Sequence, residues 1–182
     1  MPGVAQCSSP TEDSVISAEP KGAIVAADLK NPFVLLATGF GSGLAPIAPG
    51  TVGSLLALPI WWYFIADLSI VVQLLFVVGV SLLSIWIVDR ACRAAGVGDA
   101  SAFVLDEYVG QWVALVAAPK SLLVVGIGFL LFRTFDIAKP WPVSWADRRV
   151  SGGLGVVLDD LIAGVLAAVV LQLSVRLLHL QS

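Results

Sequence analysis

Two pairs of adjacent carboxylates, Asp106-Glu107 and Asp159-Asp160, stand at the heads of long apolar runs, 108–118 and 161–178. An ionised side chain at membrane depth costs several kcal/mol unless it pairs or holds a cation. Four carboxylates in such places make poor packing material. They restrict the chain to folds that gather them at one site and shield them from hydrocarbon.

The 182 residues suffice for one domain,. Hydrophobic residues make up 58% and charged residues 13%, against about a quarter charged in an ordinary soluble domain,. Mean hydropathy is +0.96. This balance points to an integral membrane protein. The net charge of -3, with no Lys/Arg cluster interleaved with aromatics, speaks against a nucleic-acid partner,. Cys7 and Cys92 sit in no CxxC motif and near no His, which argues against a disulfide framework or a zinc site,. The one His, His179, reads as a solvated residue at the chain end. Residues 1–30 carry Pro2, Pro10 and Pro20 and lack the basic-then-apolar order of a secretory signal,. They are expected to form a disordered tail, leaving 31–182 as a helical domain.

Five apolar runs follow, at 52–66, 68–88, 103–118, 122–132 and 161–178. The second is the cleanest spanning segment, whereas the third and fourth are short for a ~30 Å hydrocarbon core. With the N-terminus in the cytoplasm and five crossings, eight basic residues fall inside: Lys21, Lys30, Arg90, Arg93, Arg133, Lys139, Arg148 and Arg149. Only Lys120 and Arg176 fall outside, as the positive-inside tendency requires,. Trp61, Trp62, Trp86, Trp141 and Trp145 lie near run ends, where interfacial aromatics belong,. This topology puts the Gly/Pro loop 38–54, both acidic pairs and the loop 133–153 on the same, cytoplasmic face.

The loop 38–54, TGFGSGLAPIAPGTVGS, holds five Gly and two Pro and cannot be regular helix throughout,. Gly50-Thr51, leading into a helix, would offer backbone N–H groups to a phosphate, although no Gly-Lys-Ser/Thr of a Walker loop is present. A tight turn before the first membrane helix is the plainer reading. In Asp106-Glu107-x-x-Gly110, adjacent carboxylates can face one cavity while Gly110 admits a neighbouring helix,. Asp159-Asp160 with Gly164 repeats the arrangement. Carboxylates this crowded repel, and a bound cation relieves the repulsion. An all-oxygen donor set favours Mg²⁺, Mn²⁺ or Ca²⁺. Arg133 and Asp136, three residues apart, are spaced to pair on one helix face, and Lys139 should end that helix because Pro140 follows,. Arg133, Lys139, Arg148 and Arg149 suit anionic headgroups. No Cys-x₅-Arg, no Asp-x-Asp after a strand and no internal His is present, so a metal-activated water is the hydrolytic chemistry that remains,.

Four ordered motifs then carry a resemblance. They are the loop 38–54; Asp106-Glu107-x-x-Gly110; Phe132-Arg133-x-x-Asp136-x-x-Lys139-Pro140-Trp141-Pro142; and Gly152-Gly153-x-Gly155-x-x-x-Asp159-Asp160-x-x-Ala163-Gly164. Over about 32–178 the chain resembles the phosphatidylglycerophosphatase A family. Members of that family often carry His before the Gly-Gly, where Ser151 stands here. The resemblance implies an all-α protein of the bacterial inner membrane. It implies Mg²⁺-dependent removal of the terminal phosphate from phosphatidylglycerophosphate.

The expectation is thus a multi-helix bundle embedded in the membrane, with an acidic site at its cytoplasmic face. Asp106, Glu107, Asp159 and Asp160 would bind Mg²⁺, with Asp136 as a further candidate. Arg133, Lys139 and Arg148, with the backbone around Gly50 and Thr51, would bind the phosphate. Asp106, Glu107, Lys139 and Asp160 would take part in catalysis. The alternatives are an ion or proton carrier that uses intramembrane carboxylates and a phosphatidyl-transferring synthase. The longer acidic run of such a synthase is absent.

Overall fold

The computed structural model describes residue 24 and residues 26–97, 101–150 and 152–177. Seven α-helices are present among them, and no strand: α1 Pro32–Ala37, α2 Pro49–Ile60, α3 Ile70–Ala95, α4 Leu105–Ala114, α5 Leu122–Ala138, α6 Val143–Arg149 and α7 Gly152–Leu177. Most of the expected tail lies outside the described residues, as do Ser151 and His179. The end of that tail is ordered. Ala26–Lys30 form a 3₁₀ turn, Ile24 is buried, and Asn31 caps α1 by accepting from Phe33 N at 2.9 Å,.

The five apolar runs become α2 with its extension, α3, α4, α5 and α7. Two of them, α3 and α7, are long and apolar enough to cross a membrane by length and composition. The run at 103–118 behaves differently. It yields a helix of ten residues, about 15 Å long, which covers half of a hydrocarbon core,. After Ala114 the chain leaves helical geometry and Ala117 adopts a positive φ of 56°. Eight of the ten residues of α4 are buried, and α2, α3, α5 and α7 all pack on it. A helix buried on all sides reads in sequence like one immersed in lipid.

Contacts at the two ends of the bundle fix helix directions. Gly50 at the start of α2 abuts Arg133 near the end of α5, and Gly153 at the start of α7 abuts Ile85 and Asp89 near the end of α3. At the opposite end, Ala117 N donates to Gln73 Oε1 at 3.0 Å and Gln172 Nε2 donates to Val116 O at 3.0 Å. The long elements therefore alternate in direction, and the starts of α2, α4 and α7 share one end with the finish of α5.

The α4–α7 crossing brings backbone against backbone. A Cβ on Gly164 would lie 2.5 Å from Gly110 O, and one on Gly110 would lie 2.8 Å from Asp160 O. Backbone cannot retreat as a side chain tip can, so both positions need glycine. This is the close approach expected for Gly110 and Gly164. Its consequence is that the backbones carrying the two acidic pairs are held against each other.

Candidate functional site

A cavity of about 290 Å³ opens at the end of the bundle where the starts of α2, α4 and α7 meet the finish of α5. Its walls come from four separated segments: Ala48–Gly50, Asp106 and Glu107 with Phe103, Arg133 to Lys139, and Asp159 and Asp160 with Asp147 from α6. Those are the four motif regions of the sequence, joined by Ser101, Phe103 and Asp147, which lie outside them.

Three carboxylates form its core. Ligand oxygens of Asp106, Glu107 and Asp160 lie within 4.8 Å of one another. Asp106 and Asp160 are 7% and 4% exposed, so water cannot screen the cluster well,. Glu107 Oε2 is buried without a hydrogen-bond partner. Burial raises the Glu107 carboxyl above its usual range; a hydrogen bond from Asp106 works against this, and the negative charge of Asp136 reinforces it. Gly50 is what lets Glu107 into this position, because any side chain there would run into Glu107 Oε1. Close approach of a carboxylate therefore accounts for Gly50, on the edge of the cavity at the first turn of α2.

Two cations flank the cluster. Arg133 Nη1 pairs with Asp136 Oδ2 at 2.6 Å, the i,i+3 pair expected from the spacing, and donates to Ser54 Oγ at 3.4 Å. Ser54 Oγ in turn donates to Gly50 O at 2.8 Å. Lys139 ends α5 with a positive φ of 43°, just before Pro140,. Its ammonium donates to Asp159 Oδ2 at 2.7 Å and to Asp147 Oδ1. Burial alone would lower the Lys139 pKa, but hydrogen bonds to Asp147 and Asp159 outweigh it and raise it above the ordinary lysine value. The ammonium thus holds its proton firmly and acts as a fixed charge.

The structure sorts the candidate residues. Asp106, Glu107 and Asp160 share one cluster; Asp136 lines the cavity beside Arg133, and Asp159 lines it on Lys139. Gly50 is at the edge. Thr51 and Arg148 do not line the cavity; Arg148 is exposed on α6. Asp147 and Ser54 are additions. Asp147 is eight residues beyond Lys139 across a double-proline turn, a spacing with no helical meaning. The available signal was only that an acid stood beside Arg148 and Arg149. Ser54 closes the glycine loop four residues after Gly50, so the two share a helix face.

An oxygen-only trio of buried carboxylates, one with an orphaned oxygen, fits a hard divalent cation such as Mg²⁺,. The adjacent guanidinium and ammonium suit a phosphate.

Comparison with known proteins points to one family. Residues 35–175 match the profile of the family described as Phosphatidylglycerophosphatase A. The Phosphatidylglycerophosphatase A of Escherichia coli (strain K12) is 44% identical over 149 residues, covering 79% of this chain and 83% of the relative. That of Haemophilus influenzae is 38% identical over 143 residues, covering 78% and 88%. A Bacteroides thetaiotaomicron protein, 38% identical over 148 residues and covering 78% and 92%, carries phosphatidylinositol-3-phosphatase as a provisional name. No solved structure matches the chain significantly.

Proposed function

The chain belongs to the phosphatidylglycerophosphatase A family and is a phosphatase, and on that premise we propose that it hydrolyses phosphatidylglycerophosphate to phosphatidylglycerol and phosphate with Mg²⁺ in the cavity. The observation that carries this reading is the trio Asp106, Glu107 and Asp160 beside Arg133 and Lys139 at one end of an apolar bundle. Only a headgroup need enter such a cavity, while acyl chains stay with the apolar flank. The two helices long and apolar enough to span, and the exposed Leu75, Leu82, Val165 and Leu173 on them, support a protein embedded in the cell membrane,. The basic residues gathered near the cavity end support a cytoplasmic site.

Asp106, Glu107 and Asp160 would hold the metal. Bound Mg²⁺ supplies a water of lowered pKa and a polarised phosphate oxygen. Arg133 and Lys139 offset charge on the phosphate and orient it. Water oxygen bonds to phosphorus as the bond from phosphorus to the lipid alkoxide breaks. The proton lost by the water goes to a cluster carboxylate. Lys139 keeps its own proton, so the proton for the leaving alkoxide comes from solvent or the cluster.

A carrier would use the same carboxylates differently. In sealed liposomes the hydrolase releases phosphate with Mg²⁺, stops on chelation and needs no ion gradient. Ion flux without phosphate release would replace this proposal with the carrier.

A further inference from the structure

An apolar groove of about 350 Å³ opens between α2 and α5 on the flank of the bundle. On one wall are Leu58, Pro59, Trp62 and Tyr63; on the other are Val125 and Gly126, with Leu122 at the far end. The same two helices carry Gly50 and Arg133 to the cavity. There Arg133 Nη1 joins them by donating to Ser54 Oγ, and the groove lies further along the same two elements. Leu58 lies about 12 Å along α2 from Gly50, and Gly126 lies about 10 Å along α5 from Arg133.

The groove has a local cause on each wall. Pro59 removes a backbone donor inside α2, and the chain then widens into a π turn, Trp61–Ile65,. Opposite it, Gly126 offers no side chain, and a Cβ there would meet nothing within 4 Å. A widened turn faces a missing side chain.

We propose that this groove holds an acyl chain of the phospholipid whose phosphate occupies the cavity. The inference rests on reading the cavity as a lipid phosphatase site. The occupant follows from continuity along one seam. Its cavity end is lined by Arg133, held by Ser54, and the guanidinium suits a phosphate,. About 10 Å further along, the lining becomes predominantly apolar, where the diacylglycerol part of the same molecule must lie,. Affinity would therefore depend on chain length as well as on the phosphate.

The test uses full-length protein in detergent micelles and phosphatidylglycerophosphate with a photoactivatable group midway along one acyl chain. Labelling should concentrate on Trp62, Tyr63 and residues 122–126, and unlabelled substrate should compete where an equal amount of phosphatidylcholine does not. G126F, whose Cβ has open space, puts a ring into the groove and should cut groove labelling roughly tenfold, as the loss of about two buried methylenes would,. G79F on α3 is the control. Gly79 is exposed, a Cβ there also meets nothing within 4 Å, and it does not line the groove. Label spread evenly over α3 and the α2–α5 flank, equal competition by phosphatidylcholine, or unchanged groove labelling in G126F would each overturn the proposal. Groove labelling in a protein that releases no phosphate would instead sink the lipid phosphatase reading and leave the groove standing.

Discussion

Helices α3 and α7 are both 26 residues long, and their most apolar stretches have mean hydropathies of 2.6 and 2.3. By composition they are near twins, yet the fold treats them differently. In α3, 28% of that stretch is buried, against 44% in α7. The polar groups within α3 serve packing. Gln73 Oε1 accepts from Ala117 N at 3.0 Å, far from the cavity. Ser81 Oγ donates to Val77 O at 2.6 Å, and Gln73 Nε2 donates to Leu68 O at 3.0 Å, just before the helix. The carboxylates of α7 reach the cavity instead. Asp159 meets Lys139 of α5, and Asp160 joins Asp106 and Glu107 of α4. Apolarity admits a helix to the bundle, and the reach of its few polar atoms decides what it does there. In this account α3 anchors and α7 builds the site.

Substitutions on the two helices should therefore separate sharply. The largest loss is expected at the cluster. D160N or E107Q should lower phosphate release by more than about a hundredfold, since removing even a supporting group commonly costs a metal site 10- to 100-fold. The same variants should melt no lower than the wild type without metal, because each removes one of several crowded, desolvated charges. A metal-free melting temperature several degrees lower would contradict the crowding argument. Next comes the crossing that brings the cluster together. G164L would drive a side chain into Gly110 O and should destabilise the protein by about 1–3 kcal/mol or more, read by thermal unfolding,. Unchanged stability would mean that α4 and α7 are not packed backbone to backbone.

R133K keeps the charge but loses the forked donor that reaches Asp136 and Ser54. About tenfold in kcat/KM should go with it, the worth of one charged hydrogen bond,. The smallest effect belongs to α3. Leu75 and Leu82 are 68% and 65% exposed, and alanine at either should leave kcat/KM within about twofold,. A large loss there would show that α3 is more than an anchor.

Much of the site was legible because its chemistry is carried by rare residues in an apolar chain. The four segments that converge, the Arg133–Asp136 pair, the helix end at Lys139 and the glycine crossing at 110 and 164 all follow from spacing, charge or sterics. What stayed hidden has physical reasons too. Hydropathy reports that a residue avoids water and is silent on whether protein or lipid covers it, so the run at 103–118 concealed a short central helix. Asp147 reaches Lys139 through a turn whose path no helical periodicity describes. Asp159 and Asp160 are chemically identical neighbours. Only the ~100° between successive helical residues sends one to Lys139 and the other to the carboxylate trio.

That last division is the point on which the account is most exposed. Phosphate release from phosphatidylglycerophosphate should be measured against Mg²⁺ concentration for the wild type, D159N and D160N. The account predicts that D160N stays more than about a hundredfold below the wild type at every Mg²⁺ concentration. It predicts that D159N needs about the same Mg²⁺ as the wild type but shows a raised KM for the lipid, its Lys139 having lost a partner. A D159N enzyme whose Mg²⁺ requirement shifts strongly, beside a D160N enzyme that turns over normally, would contradict it.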